Sequence, residues 1–375
     1  MRFLHTADWH LGMTRRFLPS EAQARFADDR IDAVREIARI AAAEGCVFVL
    51  ACGDLFDSNH VDRQVVARAV DALGQFTVPV LILPGNHDPL DAASVYFSKA
   101  FTDRLPAGVS VIANSEPIVV ADGVEVIGAP WLTRRPGRDL AAAALDGLAP
   151  PATGMRVLAA HGAVDVLAYA GDDPALVRID PLRSALSSGA VSYVALGDRH
   201  SALDVGDDPR IRYPGSPVAT DHDEADPGKV LVVDVDATGA TVTEHAVGRW
   251  TFTRITARLD GMDDVDRLDA SLEAVPGKSR AVVRLGLTGS IGVAEDARLQ
   301  QVLDHHREVL GSLTMSEGRS DLAVIIDEAD IDALGLQGYA RDAAAELVAL
   351  AAGDGPQRDA AHDALRLLHR LAGAA

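Results

Sequence analysis

Five short clusters of polar residues follow apolar, strand-like stretches of the chain, and together they could bind metal ions. All five offer carboxylate, carboxamide or imidazole groups, which suit divalent ions such as Mn²⁺ and Fe²⁺, and none offers a thiolate. Two such ions about 3.5–4 Å apart can share a carboxylate and a hydroxide and polarise a phosphodiester. The clusters are Asp8-Trp9-His10, Gly53-Asp54, Gly85-Asn86-His87-Asp88, His161-Gly162 and Gly197-Asp198-Arg199-His200.

Each cluster also has an ordinary explanation when it is considered alone. Asp8 and His10 are as typical of a turn as of a metal site, and Asp54 could cap the helix that follows it. His161 could equally be a core histidine. Because the clusters occur in this order and each follows a predicted strand, they jointly predict a single metal centre.

The spacing of apolar residues predicts elements that could bring the clusters together. Buried strands are expected at Arg2–Ala7, Cys46–Ala51 and Val78–Leu83, with helices at Glu21–Glu44 and Arg63–Phe76 between them. This β-α-β-α-β order predicts an α/β core with the polar clusters at the carboxyl ends of its strands. Cys46 and Cys52 are expected to be buried thiols that face one side of a single strand.

Beyond residue 109 the pattern becomes richer in strands. Asp122-Gly123 indicates a hairpin turn, and buried strands are expected at Arg156–Ala160 and Val191–Leu196, each directly before a polar cluster. The predicted fold class is therefore α/β (α+β), with a two-sheet sandwich flanked by helices. This first domain is expected to span residues 1–248.

Two further segments are predicted after residue 248. Strands and helices alternate up to a last strand at Leu322–Ile326, which indicates a small α+β domain over residues 249–335. Helices are expected at Tyr339–Ala352 and Gln357–Leu371 within residues 336–375. Gly353-Asp354-Gly355-Pro356 separates them as a helix stop and restart.

Composition limits how the chain could bind nucleic acid. The formal charge of the 375 residues is −20, from 35 Lys+Arg against 55 Asp+Glu. Bulk attraction to DNA is therefore disfavoured, although metal ions and a few local arginines could hold a backbone. The apolar runs are too short to span a membrane and the N-terminal stretch lacks a signal-peptide pattern, so we expect a cytoplasmic protein with no membrane partner.

Four stretches of the chain resemble the calcineurin-like metallophosphoesterases, and more closely the SbcD-type DNA repair exonuclease subunits. The resemblance covers roughly residues 1–235. It implies a nuclease that cuts double-stranded DNA from its ends and could also act as an endonuclease. Such an enzyme uses two divalent ions, foremost Mn²⁺, with Mg²⁺ or Fe²⁺ as alternatives. The stretches are Thr6–Gly12, Gly53–Asp57, Pro84–Asp88 and Tyr213–Pro217.

The resemblance also implies a role for each polar residue. His87 matches the histidine that contacts the scissile phosphate and stabilises the transition state or protonates the leaving 3′ oxygen. Asp88 could orient that imidazole, support other groups or cap a helix. The first metal is assigned to Asp8, His10, Asp54 and His200, and the second to Asp54, Asn86, His161 and Asp198, with Asp54 bridging.

Position 198 departs from the family pattern, which reads Gly-His-x-His where this chain has Gly197-Asp198-Arg199-His200. A carboxylate can replace imidazole on Mn²⁺, so metal binding should survive. The added negative charge would weaken the Lewis acidity of the second ion and shift its metal preference or its rate. Arg199 could offset that charge or contact a phosphate, and a catalytically weakened subunit is the alternative.

The same resemblance implies partners. They are DNA and an SbcC-type coiled-coil ATPase that docks onto the C-terminal helices. The small domain is expected to cap the active site. The chain is expected to form a homodimer within a heterotetramer, located in the cytoplasm at the nucleoid. Leucines of the two helices suit such docking, although they could instead pack on their own protein. Candidate DNA contacts are Arg15, Arg16, Arg63, Arg134, Arg135 and Arg199.

Two other functions are left open by the sequence. A stand-alone phosphodiesterase or phosphatase for small molecules or nucleotides is slightly favoured by the acidic charge, but it would not need the segments after residue 248. A non-catalytic adaptor that only recruits the ATPase would not need to retain Asp54, Asn86 and His87.

Overall fold

The computed structural model describes residues 1–167, 173–236, 239–325, 336–353 and 355–372, and the chain divides into two units. The first unit comprises residues 1–16 and 23–250, and the second comprises residues 17–22 and 251–375. The predicted positions Ile326 and Asp354 lie outside the described residues. The predicted division into three domains stays a prediction.

Among the described residues up to 250, twelve strands form the two sheets of the first unit. They are β1 (Arg2–Thr6), β2 (Val49–Cys52), β3 (Val80–Leu83), β4 (Val109–Val111), β5 (Ile118–Ala121), β6 (Val124–Gly128), β7 (Met155–His161), β8 (Tyr193–Gly197), β9 (Ala202–Val205), β10 (Asp208–Pro214), β11 (Lys229–Asp236) and β12 (Gly239–Ala246). The helices before residue 250 are α1 (Ser20–Ala43), α2 (Arg63–Leu73), α3 (Lys99–Thr102), α4 (Leu140–Leu145) and α5 (Ile179–Ser188).

Each sheet of the first unit combines four parallel strands with antiparallel strands, which lie at one edge of the first sheet and at both edges of the second. One sheet has the order β12-β11-β1-β2-β3-β4, in which β1 to β4 are parallel. The other has the order β5-β6-β7-β8-β10-β9, in which β6, β7, β8 and β10 are parallel. Because parallel strands end at the same edge of a sheet, the loops after β1, β2 and β3 are neighbours, as are those after β7 and β8.

The core explains why these strands are apolar along their whole length. Phe3 and Phe48 of the first sheet stack at 4.8 Å between ring centroids, and Tyr193 of the second sheet meets Phe3 edge-on, so the two sheets share a core. A second cluster joins the first sheet to α1 and α2, and a third joins the other sheet to α4 and α5. Strands covered on both faces are expected to be continuously apolar.

The predicted α/β sandwich is thus confirmed, with two local differences. Helix α5 was not predicted, although its apolar residues Ile179, Leu182 and Leu186 are all buried. The prediction that Cys46 and Cys52 share one face of a strand is wrong, because β2 begins only at Val49. Both thiols are free and buried, Cys46 on the helix side of the sheet and Cys52 between the sheets.

The second unit is a small sheet with helices. Its strands are β13 (Thr251–Leu259), β14 (Ala281–Ile291), β15 (Ser312–Met315) and β16 (Asp321–Val324), and its helices are α6 (Met262–Glu273), α7 (Val293–Val309), α8 (Tyr339–Ala352) and α9 (Arg358–Ala372). Strands β13, β15 and β16 all pair with β14 in parallel. Leu268, Leu285 and Leu299 belong to the core that α6 and α7 form with this sheet.

The two C-terminal helices pack partly on each other. Ala351 of α8 and Leu365 of α9 are buried in one small cluster, against which Leu347 and Val348 also pack. Leu350 and Leu367 are exposed on the same helices. Within the described ranges, none of the helices combines the length and apolar character needed to cross a membrane.

Candidate metal centre

The loop after β1 is held against the loop after β2 by backbone hydrogen bonds. The amide of Asp8 donates to the Gly53 carbonyl at 3.0 Å, and the amide of His10 donates to the Asp54 carbonyl at 2.9 Å. Asp8, His10 and Asp54 all have positive φ angles, of 55°, 45° and 53°. Non-glycine residues in this conformation are uncommon and cluster at functional sites, so the strain itself points to these loops.

Two glycines allow the loops to approach each other closely. A Cβ on Gly85 would lie 2.1 Å from Oδ1 and 2.5 Å from the backbone nitrogen of Asp54. A Cβ on Gly53, whose φ is +89°, would lie 2.0 Å from Nδ1 of His161. Both distances are far below van der Waals contact, so the donor groups can converge only because these positions lack side chains.

Asp8, His10 and His200 form the first converging donor group, with one ligand atom from each within 4.8 Å of the others. Nε2 of His10 lies 3.1 Å from Nε2 of His200. Two imidazole nitrogens at this separation need a shared proton or a cation between them. All three predicted ligands therefore point toward a common space that fits a metal ion.

Asp8, Asp54 and His161 form the second group. Nε2 of His161 lies 3.4 Å from Oδ2 of Asp54 and 2.8 Å from Oδ1 of Asn86. Oδ2 of Asp54 also lies 3.9 Å from Nε2 of His10, so this carboxylate faces both groups. The residue common to both groups is Asp8, and the oxygen and nitrogen donors are of the kind that binds divalent ions. The assignment of Asp54 as the bridging ligand stays a prediction.

His87 has an exposed side chain, and one atom from each of His10, Asp54 and His87 also lies within 4.8 Å of the others, so His87 adjoins the donor groups directly. Its ring meets that of His10 edge-on at 4.9 Å between centroids, and its amide donates to Oδ1 of Asp54 at 2.9 Å. Nδ1 of His87 lies 2.9 Å from the Asp57 carbonyl oxygen, which can only accept. Nδ1 therefore carries the proton, and Nε2 is the ring atom left free for a substrate.

Asp88 does not contact the His87 imidazole. Its Oδ1 accepts from the Gly85 amide at 2.8 Å, and its Oδ2 accepts from the Phe56 amide at 2.9 Å and the Tyr96 hydroxyl at 2.6 Å. Of the three roles that the sequence left open for Asp88, these hydrogen bonds show the second, which is the support of neighbouring groups. Asp88 holds the loops that carry Asp54 and His87.

Asp198 is positioned by its backbone. Its amide donates to both carboxylate oxygens of Asp8, at 3.1 and 3.0 Å, and its φ is +105°. In the described part of the chain, its carboxylate is not one of the converging ligand atoms. Its assignment to the second metal stays a prediction. Beside it, Arg199 donates to the Leu167 carbonyl at 2.8 Å.

Protonation differs among the donor groups. Burial lowers the pKa of His10 to about 4, although Asp57 opposes this, so its imidazole is neutral. Burial raises the pKa of Asp8 to about 7, against the effect of His161 and His200. Burial would lower the pKa of His161, but the Asp54 and Asp8 carboxylates outweigh it and raise that pKa well above its usual value. Protons thus compete with metal ions for these ligands.

The predicted DNA-contacting arginines are accessible, and none of the contacts in the described part of the chain joins them to the donor groups. Four are exposed and two, Arg15 and Arg199, are half-buried. Their role stays a prediction. The exposed four are Arg16, Arg63, Arg134 and Arg135.

Two carboxylates near the centre were missed by sequence reasoning. Oε1 of Glu224 lies 2.8 Å from Nδ1 of His200, and Oδ1 of Asp57 lies 3.4 Å from Nδ1 of His10. Asp57 belongs to the Gly53–Asp57 stretch and could have been singled out there. Glu224 lies in an acidic, non-periodic segment that offers no such signal.

Comparisons with known proteins connect the chain to one family of phosphoesterases and to nuclease subunits. Residues 1–183 match the model of the family described as calcineurin-like phosphoesterase. The chain is 26% identical over 289 residues to the D subunit of nuclease SbcCD from Rhodobacter capsulatus, covering 65% of this chain and 68% of that protein. For the protein of the same name from Escherichia coli, the identity is 26% over 316 residues, covering 71% and 75%.

Two further matches are shorter or more distant. The Staphylococcus saprophyticus protein of the same name is 32% identical over 111 residues, which are 27% of each chain. The crystal structure of TT1561 of Thermus thermophilus gives a TM-score of 0.40 at 11% identity, covering 66% of this chain and 98% of that one.

The range matched by the family model includes most of the predicted metal ligands. It contains the loops after β1, β2, β3 and β7, and so Asp8, His10, Asp54, Asn86 and His161. The resemblance drawn from these motifs is confirmed. Residues 1–183 belong to the calcineurin-like phosphoesterase family, and the chain carries the domain of a metal-dependent hydrolase.

Proposed function

We propose that the chain is a DNA nuclease that hydrolyses phosphodiester bonds from double-strand ends with two divalent ions, foremost Mn²⁺. The observation that carries the proposal is the convergence of donor groups that share Asp8, His10 and Asp54, together with an exposed histidine, His87. The names of the similar proteins support the choice of DNA as substrate.

The chain's own residues divide the chemistry between them. Asp8, His10, Asp54 and His200 hold the first ion, and Asp54, Asn86, His161 and Asp198 hold the second. When bound, such a pair of ions supplies the nucleophile and stabilises charge on the phosphorus oxygens. The protein fixes the geometry through the loop contacts of Gly53 and Gly85.

His87 acts on the substrate rather than on the ions. With its Nδ1 proton donated to the Asp57 carbonyl, its ring is oriented and Nε2 is the nitrogen left for the substrate. In the imidazolium form, Nε2–H stabilises charge on the phosphate or protonates the leaving 3′ oxygen.

Relatives named as the D subunit of nuclease SbcCD support a multi-subunit setting. We place the chain with an SbcC-type coiled-coil ATPase, as a homodimer within a heterotetramer at the nucleoid in the cytoplasm. Residues 249–335 would cap the active site, and residues 336–375 would dock the ATPase through the exposed Leu350 and Leu367. Endonuclease action is a further activity to assay.

The test is digestion of linear double-stranded DNA by the purified chain with Mn²⁺, alone and with its ATPase partner. Progressive shortening from the ends is expected, and EDTA should abolish it. Cleavage of small phosphodiesters without DNA cleavage under either condition would instead support the stand-alone phosphodiesterase. The charge of −20 is the observation that favours that second candidate.

Two variants separate metal binding from catalysis. His87→Ala should retain bound Mn²⁺ but lose cleavage by about 10²–10⁴-fold, the usual contribution of a positioned acid. The matched control is His60→Ala, which removes another exposed histidine. Asp54→Asn should lower the Mn²⁺ content itself, and an unchanged metal content would remove its bridging role.

A further inference from the structure

The three predicted histidine ligands have different partners behind their rings. Nδ1 of His161 lies 2.8 Å from the Cys52 carbonyl oxygen, a neutral acceptor. Nδ1 of His200 faces the Glu224 carboxylate at 2.8 Å. Nδ1 of His10 lies 3.4 Å from the Asp57 carboxylate. Both histidines of the first donor group therefore have a carboxylate oxygen within 3.4 Å of Nδ1, whereas Nδ1 of His161 is bonded to a neutral carbonyl and has the Asp8 carboxylate farther away, at 4.0 Å.

The Glu224 carboxylate is itself held firmly. Its Oε2 accepts from the Thr220 amide at 2.8 Å, and its Oε1 accepts from the Thr220 hydroxyl. The Thr220 hydroxyl oxygen also lies 2.9 Å from Nδ1 of His200. Glu224 is thus fixed by a turn of its own chain segment and presents one oxygen to the histidine.

This contact determines the tautomer of His200. An ionised carboxylate can only accept hydrogen bonds, so the ring proton lies on Nδ1. Nε2 then has a free lone pair, and this is the atom that faces Nε2 of His10 at 3.1 Å. A carboxylate behind a ligating histidine also makes the imidazole a stronger base and so a better metal ligand.

We propose that Glu224 is a positioning residue that fixes His200 for metal binding and, with Asp57 behind His10, makes the first metal site the tighter of the two. This inference rests on the proposed metal centre. It adds Glu224 to that centre and states which of the two metal sites binds its ion more tightly. Loss of such a partner typically costs roughly 10–100-fold in metal affinity.

Glu224→Gln is the sharpest test because the carboxamide has the same shape but only one oxygen. Glutamine can accept from the Thr220 amide or from His200, but not from both. Its NH₂ group would otherwise face Nδ1 and favour the tautomer with the proton on Nε2, which cannot bind a metal. Thr220→Val, which removes only the hydroxyl, should weaken the same metal site less.

The measurement is a titration of the metal-free full chain with Mn²⁺, with free Mn²⁺ counted by electron paramagnetic resonance. Wild type should bind two ions with unequal affinities. Glu224→Gln should weaken the tighter one roughly 10–100-fold, change the other much less and leave the Tm of the metal-free protein similar. The control is Glu244→Gln, which changes an exposed carboxylate bonded to Lys229.

Three outcomes would overturn the inference. One is a Glu224→Gln titration equal to that of wild type, and another is selective weakening of the looser ion. The third is equal weakening of both ions with a lowered Tm, which would assign Glu224 to the folding of residues 220–224. Failure of the wild-type chain to bind two Mn²⁺ ions overturns the proposed centre itself, and this is seen before any variant is compared.

Discussion

Asp198 is a residue at which the sequence departs from the Gly-His-x-His pattern that the resemblance implies. Its amide is bonded to the Asp8 carboxylate, which places a third acid next to Asp8 and Asp54. Burial raises the pKa of Asp198, against the effect of His161. Imidazole suits Zn²⁺ and Fe²⁺, whereas carboxylate suits Mn²⁺ and Mg²⁺, so this position bears on metal selection.

Asp198→His is therefore expected to shift the metal preference from Mn²⁺ toward Zn²⁺. The ratio of the two dissociation constants, measured by competition with a chelating dye, should change by roughly tenfold in favour of Zn²⁺. The control is Asp103→His, which adds a histidine at an exposed acid outside the donor groups. An unchanged ratio would show that residue 198 does not contact either ion.

His5 connects the stability of the first sheet to pH. It is fully buried, with Nε2 bonded to the Leu196 carbonyl at 3.0 Å, and burial lowers its pKa from 6.5 to about 3 despite that bond. The folded protein keeps His5 neutral while the unfolded chain takes up a proton below pH 6.5. Its contribution is therefore present above pH 6.5 and is lost as the pH falls from there toward 3.

His5→Gln should flatten this dependence. Between pH 7.5 and pH 5.0, the free energy of unfolding of wild type should fall by about 2 kcal/mol more than that of the variant. Urea unfolding at both pH values, with EDTA present to remove metal effects, measures the difference. Equal losses in the two proteins would contradict the assignment of His5 as neutral in the folded state.

The loops after the strands are the elements that form the metal centre, and they pack so closely that few substitutions are tolerated where they meet. Gly85→Ala would place a methyl group 2.1 Å from Oδ1 and 2.5 Å from the backbone of Asp54, so the loops must separate. We expect loss of most bound Mn²⁺ and a destabilisation of about 1–3 kcal/mol. Metal analysis and urea unfolding of the same preparations report both effects.

Gly137→Ala is the matched control for this variant. Gly137 is exposed, and a Cβ there meets nothing within 4 Å. It should keep the wild-type metal content and stability to within about 0.5 kcal/mol. If Gly85→Ala behaved in the same way, the loops would have to be far more mobile than their hydrogen bonds indicate.

Sequence reasoning was strongest for elements where a buried strand leads straight into polar residues. The Val80–Leu83 strand and the residues after it predict both the sheet and the site, because the buried strand leads directly into the residues that carry the chemistry. Glu224 could not be predicted, since its contact with His200 depends on where a non-periodic segment returns in space. Helix α5 was missed because Pro181 in its first turn and several serines hide an otherwise regular apolar spacing.

At the scale of the whole molecule, charge opposes the proposed substrate. A chain with a net charge of −20 gains little from general attraction to DNA, so binding must rest on the metal ions and on local arginines. The stretch from Arg134 to Arg138 holds three exposed arginines and is the densest basic segment.

The double variant Arg134→Gln/Arg135→Gln should weaken binding to duplex DNA similarly for all sequences. Each lost phosphate contact should make the dependence of log K on log salt shallower by about 0.9, and the pair by about 1.8. Hydrolysis of a small phosphodiester should be unaltered. Fluorescence anisotropy at several salt concentrations measures this slope, and Arg104→Gln is the control. An unchanged slope in the double variant would show that Arg134 and Arg135 do not contact DNA.

The proposed ligands of the first ion come from loops at both ends of a long stretch, with Asp8 near the start and His200 far along the chain. A chain still being synthesised therefore has no complete first site until His200 has left the ribosome and β8 has joined its sheet. On the proposed ligand set, activity would appear only with the finished fold. Loss of activity would likewise be an early and sensitive sign that the two sheets have come apart.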